Sequence, residues 1–377
     1  VIGEEEHLKS ENEMGMRQLG YTSMQGAEFL FPNHLPNYAG AGGDLGPSSG
    51  RLQGAFEYLS TGRFWRGKPI GVFAAAWGDS GLHNETFWLG WATVAAYGWK
   101  PGAPAVKQVV AEFINGYYGP RVSEMVEVYR GMQSQAQFFE RSWDRAVSRA
   151  RAAGYGNSDG KGIGTTRHDQ ALPPPALPEL PGLNFSPVYV GRYEKLIADA
   201  QVNARENDVL VNRIHQNLLK ADRNRYNLEV FLSLAELTGH HSRMILGMKE
   251  IEAKLSAARL SAEKGDAPQA VGQLLAAYTR ARSTIEERQK MFASLTTVWE
   301  KSRFPKGREV NGKKFLHVLD DVKDHWADRR ADLSYMIAPE ESIGLEQWMK
   351  KLAPLIREYA QKNNVPVRAL EEARLEH

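Results

Sequence analysis

Cysteine is absent from all 377 residues. This excludes disulfides, thiolate metal sites and a cysteine nucleophile. It leaves the compartment open, because a cysteine-free chain suits cytosol and periplasm alike. A charge excess of one sign is also lacking: 47 Lys and Arg stand against 45 Asp and Glu, a formal net charge of +2. Such a field gives no reason to expect nucleic-acid or anionic-membrane binding. No apolar run approaches the roughly 20 residues of a membrane span. The chain starts at Val1 with no Met and no signal-like segment, so a trimmed or fragmentary N-terminus is expected. At about 100–200 residues per domain, the length allows two or three domains.

Glycine divides what is present. Residues 1–170 hold 26 of the 35 glycines. Glycine is costly inside helices and useful in turns, so the first part is expected to be loop-rich and the second helical. Between them lie a glycine cluster from Gly154 to Gly164 and a proline cluster from Pro173 to Pro181, the composition of a loop running into an extended linker. The expected domains are therefore 1–150, a linker over 151–184, and a helical bundle over 185–377.

In the first part, Ser10–Leu19 reads as a helix ending at Gly20, Tyr21–Phe31 as a strand, and Leu52–Leu59 as a short helix. Ile70–Trp77 is a continuous apolar run, the pattern of a strand buried on both faces in a parallel sheet. Helices follow over Glu85–Tyr97, Ala105–Tyr118 and Arg121–Ala150. In the second part, Tyr193, Ile197, Ala200 and Ala204 share a helix face, as do Tyr226, Val230, Leu234 and Leu237. Asp266 with Pro268 marks a helix start, running to about Trp299. Phe315–Tyr335 and Ser342–Ala360 complete an antiparallel bundle.

The segment Ala74-Ala-Ala-Trp-Gly-Asp-Ser-Gly-Leu-His-Asn-Glu-Thr-Phe-Trp88 concentrates chemistry. A buried strand ends at Trp77, a glycine-punctuated turn carries Asp79, His83, Asn84 and Glu85, and a helix begins. Functional groups of parallel α/β proteins sit at such strand ends. Sugars need this mixture: an aromatic face packs on the pyranose, and carboxylates and amides bind its hydroxyls. A plainer reading has Asn84 capping the helix, Glu85 favouring its N-terminus and Trp77 in the core. Trp65, Trp88, Trp91 and Trp99 are expected to pack inside, since Trp88 and Trp91 lie three apart on one helix.

The stretch from Gly71 to Trp91 resembles the final barrel strand and following helix of glycoside hydrolase family 20, the β-N-acetylhexosaminidases. The likeness extends more weakly through Phe113-Ile-Asn-Gly-Tyr-Tyr-Gly119, and upstream over Leu19 to Pro32 as the preceding helix–strand unit. The resemblance implies an α/β fold followed by an all-α part: the last βα units of a (β/α)8 barrel, incomplete in this chain, with a C-terminal helical bundle. It implies hydrolysis of terminal β-linked N-acetylhexosamine in which the substrate's own acetamido oxygen attacks the anomeric carbon, an exception to the two-carboxylate scheme. The family's Asp orients that acetamido group and the adjacent Glu protonates the leaving oxygen.

No Asp-Glu dipeptide occurs in the chain, and Gly42-Gly-Asp44 is followed by Leu45. A whole barrel needs roughly 250 residues, and only about two βα units precede the linker. The expectation is thus a chain that supplies pocket residues and no catalytic pair, its partners being an N-acetylhexosamine glycan and the remaining N-terminal half of the barrel. By resemblance, Trp77 closes the sugar pocket and Asp79 or Glu85 binds sugar hydroxyls. His83, Asn84 and Tyr38 are further substrate-binding candidates, with Asn33 and His34 as loop-end alternatives. No cofactor is implied. A periplasmic or secreted location follows from the resemblance alone. The rival reading is a non-catalytic glycan-binding or scaffolding helical protein. His317, Asp321 and His325 fall on one helix face, but adjacent Lys323, Arg329 and Arg330 account for the run as a charged surface. His240 and His241 are expected at the surface.

Overall fold

The computed structural model describes residues 5–23, 31, 68–75, 84–100, 105–141, 174–302, 309–314 and 344–367. These are mostly helical, with few strands. Helix α1 (Glu5–Glu13) stops where Gly15 takes φ +82°. Glycine enters that left-handed conformation without a Cβ penalty, so the helix ends there and not at the expected Gly20. Gly20 lies instead in strand β1 (Leu19–Ser23). Strand β2 (Gly71–Ala75) pairs with β1 in parallel, Leu19 opposite Gly71 and Ser23 opposite Ala75. It is not buried on both faces as expected: Phe73, and Ile70 just before it, are each 57% exposed.

One turn of 3-10 helix (Asn84–Phe87) leads into helix α2 (Trp88–Trp99). Helix α2 runs two residues past its expected end at Tyr97, and its Gly98 packs closely on the sheet: a Cβ there would meet Val72 Cγ1 of β2 at 3.2 Å. Helices α3 (Val106–Tyr118) and α4 (Met125–Arg141) follow. The expected helices at 52–59 and 315–335 lie outside the described residues.

The second part supplies a one-turn helix α5 (Tyr189–Arg192) and three long helices, α6 (Glu194–Lys220), α7 (Arg225–Glu263) and α8 (Ala267–Glu300). The start of α8 is the expected one: Asp266 Oδ1 accepts the Gln269 N–H at 3.0 Å, a side-chain cap. A small hairpin, β3 (Glu309–Val310) and β4 (Lys313–Lys314), turns through Asn311 and Gly312, both at positive φ. This is the Asn-Gly signature of a two-residue hairpin loop. Helix α9 (Leu345–Lys362) ends the described chain's regular structure. Part of the expected linker is packed: Pro175, Pro178 and Leu183 are buried, and the Trp348 indole N–H of α9 donates to the Pro175 carbonyl at 2.7 Å.

The chain forms two compact units that do not follow sequence order. The first takes Val1–Glu140, Glu206–Glu236 and Leu295–Met336; the second takes Arg141–Arg205, Leu237–Ser294 and Ile337–His377. In the first unit, Phe31, Tyr129 and Phe231 meet edge to face with centroids 5.0–5.8 Å apart, a geometry favoured by the aromatic quadrupole. In the second, the buried Glu252 carboxylate accepts the Tyr189 and Val190 N–H groups at 2.7 and 2.9 Å, satisfying the open N-terminus of α5.

The C-terminus of α3 is clasped by the turn between α6 and α7. The Asp222 N–H donates to the Tyr118 carbonyl at 2.9 Å, and Asn224 Nδ2 donates to the Tyr117 carbonyl at 2.7 Å. Gly119 ends α3 at φ +101°, where a Cβ would lie 2.5 Å from Asp222 Oδ2 and 2.9 Å from Asp222 Cβ. Gly119→Ala is therefore expected to lower stability by about 2 kcal/mol or more, from left-handed strain plus collision with the clasp. Urea unfolding of the variant beside the unaltered chain measures this, and an unchanged midpoint would disprove the fit.

Candidate functional site

The structure describes both ends of the Ala74–Trp88 motif. Strand β2 delivers the chain to Ala75, and Asn84 and Glu85 open the 3-10 turn that precedes α2. Trp77, Asp79, His83 and Tyr38, together with Asn33 and His34, lie outside the described residues, and of Asn84 only the backbone is described. The residue at the start of α2 itself, Phe87, offers no side-chain cap.

Glu85 is half-buried beside the last turn of α3. Burial first, and then the nearby Glu85 carboxylate, push the Tyr117 hydroxyl up to about 12. Tyr117 consequently keeps its proton at neutral pH and stays a donor. Its ring stacks on Phe113, with centroids 5.0 Å apart and planes at 17°, and lies tilted against Trp88 at 6.0 Å and 31°. A carboxylate thus adjoins a column of three aromatic rings, the pairing of flat apolar and anionic surface that suits a pyranose.

The packing expected of the tryptophans does not hold. Trp88, Trp91 and Trp99 are 46%, 37% and 91% exposed. Their helix carries no charged residue and buries Leu89, Gly90, Thr93 and Tyr97. The three-residue spacing does place Trp88 and Trp91 on one side, but that side faces outward. Trp65 lies outside the described residues.

Behind Glu85 runs a buried polar chain that no local motif announces. The Asn227 Nδ2 donates to the Glu85 carbonyl at 2.5 Å, and Asn227 Oδ1 accepts the Tyr118 hydroxyl proton. A carbonyl can only accept, so the Asn227 amide is fixed in this orientation. Tyr118 has one proton and gives it to Asn227, so the Tyr129 hydroxyl, 3.0 Å away, donates to Tyr118. Burial holds the Tyr118 and Tyr129 hydroxyls well above the usual phenol range, so both remain neutral donors.

Among the described residues no group of three or more His, Asp or Glu could hold a metal ion, and His317, Asp321 and His325 lie outside them. Among the described residues, too, no helix is long and apolar enough to cross a membrane. No family model, curated protein or solved structure matches the chain.

The histidine pair of α7 is a second departure from expectation. His240 and His241 are buried, at 4% and 2% exposure, because that stretch of α7 is covered on most sides, its Leu237, Met244 and Ile245 being buried as well. Burial, then the charges of Arg243, Arg288 and Arg280, lower His240 to about 3. Burial, then His240, lower His241 to about 3. Both are neutral in the fold. Below the unfolded value of 6.5, the unfolded chain takes up protons that the folded chain refuses. Stability is therefore expected to fall as the pH drops from 6.5 toward 3, by up to about 2 kcal/mol per histidine between pH 6.5 and 5. Urea unfolding at several pH values should show this slope, reduced in His240→Leu; a flat profile would contradict burial of the pair.

Proposed function

We propose that the first part of this chain forms the closing βα units and pocket rim of a glycoside hydrolase acting on terminal β-linked N-acetylhexosamine, by substrate-assisted retaining hydrolysis. The observation that carries this reading is the parallel pairing of β1 with β2 in unbroken register over five residues. Parallel neighbours need a crossover connection, and their C-terminal ends lie at the same edge of the sheet. One of those ends leads on to Asn33, His34 and Tyr38, the other to Trp77, Asp79 and His83. In barrels of this class, that edge is where substrate binds. The Glu85 carboxylate beside the Trp88–Tyr117–Phe113 column supports the same chemistry.

In this reading Trp77 stacks on the pyranose ring, Asp79 and Glu85 bind its hydroxyls, and His83, Asn84 and Tyr38 add hydrogen bonds. The Asp-Glu pair comes from the remaining βα units of the barrel, which this sequence does not contain. Support for such units lies in the sheet itself. Leu19, Ile70 and Phe73 are exposed on or beside β1 and β2, whereas parallel sheets are ordinarily covered on both faces.

Two outcomes are expected. The chain by itself gives no turnover of an aryl β-N-acetylglucosaminide; robust turnover would refute the assignment of the catalytic pair to other units. A β-linked N-acetylglucosamine trisaccharide perturbs tryptophan fluorescence saturably, and Trp77→Ala weakens this binding about tenfold or more, since a stacked aromatic wall contributes on the order of 1 kcal/mol or above. Equal affinity in the variant would reduce Trp77 to a packing residue.

A further inference from the structure

We propose that Asn227 is a positioning residue for the 3-10 turn that carries Glu85, so that the tip of the α6–α7 pair supports the glycan site. The inference rests on the glycan reading above for its ligand. Its geometry stands independently.

Asn227 lies in the first turn of α7, 142 residues from Glu85, and is 2% exposed. Both ends of its amide are engaged: Tyr118 fixes the oxygen, which leaves the NH2 directed at the Glu85 carbonyl. Tyr118 is held in turn by Tyr129 and by the rings of Tyr117 and Phe113, at centroid distances of 4.9 and 6.1 Å. The amide therefore has one orientation and one role, to pin the backbone of residue 85. Glu85 follows Asp79 by six residues and Trp77 by eight, so fixing its backbone anchors the C-terminal end of the motif segment.

The same tip also sets the other side of the site. Asp222 and Asn224 hold the carbonyls of Tyr118 and Tyr117, which fixes the ring column against which Trp88 leans. Residues 222–227 thus brace both the carboxylate-bearing turn and the aromatic column. Binding groups lose effect when displaced by as little as about an ångström, so such support is a functional requirement. Asn227 touches no substrate in this scheme.

The test compares Asn227→Asp, Asn227→Leu and Tyr118→Phe with the unaltered full chain. Two readouts are taken: affinity for the β-linked N-acetylglucosamine trisaccharide, and backbone hydrogen exchange of residues 84–99. Asp keeps the shape of Asn and still accepts from Tyr118, but turns the donor toward Glu85 into a buried acceptor that faces the carbonyl. Asn227→Asp is expected to bind at least fivefold more weakly at pH 7 and to exchange at least tenfold faster over 84–99, with exchange over 267–294 unchanged. Relative to the unaltered chain at the same pH, its affinity recovers in part at pH 5, where a protonated carboxyl again donates. Tyr118→Phe, which leaves the donor but frees the amide to rotate, falls between. Asn227→Leu, if it folds, matches or exceeds the Asp variant. A role in packing alone predicts near-unaltered binding and exchange for the apolar, similarly sized Asn227→Leu, and that result would overturn the proposal. So would faster exchange spread equally over both peptides. No binding by the unaltered chain would overturn the glycan reading, and the exchange over 84–99 would still decide whether Asn227 holds the turn.

Discussion

Every helix ends with backbone carbonyls that have no partner within it, and in the first unit that requirement organises everything else. The last carbonyls of α3 are met by the α6–α7 turn: Asp222 N–H on Tyr118, Asn224 Nδ2 on Tyr117, and Arg223 Nη2 at 3.5 Å from the Asn115 carbonyl. Ion pairs surround the clasp, Arg121 with Asp222 and Arg213 with Glu124. They are largely exposed and contribute little by themselves. The Asp222 backbone bond and the Asn224 amide bond, with the close approach at Gly119, fix the register between a helix of the first part and a turn of the second.

From that register the candidate site follows. With α3 held, the rings of Tyr117 and Tyr118 meet edge to face at 4.9 Å and then take different partners. Tyr117 joins the half-buried column with Phe113 and Trp88, while Tyr118 enters the buried chain through Asn227 to Glu85. One dipeptide thus joins the aromatic column to the buried polar chain behind it. The outward placement of Trp88 and Trp91 belongs to the same arrangement, because α2 presses Leu89, Thr93 and Tyr97 inward and has no charged residue with which to cover its other face.

Much of this was legible in the amino-acid order where the signal is local. The apolar run at 70–77 contains a real strand with a parallel partner, Asp266 caps the helix it was expected to cap, and α3, α8 and α9 run close to their expected bounds. What stayed hidden depends on contacts distant in sequence. Nothing around Asn227 distinguishes it from any other asparagine early in a helix, since its meaning comes from a carbonyl 142 residues away. The His240–His241 pair reads as polar, yet it lies within a helix enclosed on most sides by core. The tryptophan spacing gives a shared face but not its direction, because periodicity reports that residues are neighbours and not what lies opposite them.

The separation between Asn227 and Glu85 has a consequence for how the molecule comes into being. A ribosome adding about 5–20 residues per second makes residue 227 roughly 7–28 s after residue 85. During that interval the motif turn and the last carbonyls of α3 are already synthesised but still lack the groups that will fix them. Tyr118 has no acceptor from Asn227, and the uncharged, tryptophan-rich surface of α2 stands beside an unclasped helix end. The end of α3 and the Glu85 turn are thus secured backward, by a segment made long after the residues it holds, and until it arrives the apolar surface of α2 is open to association with other chains.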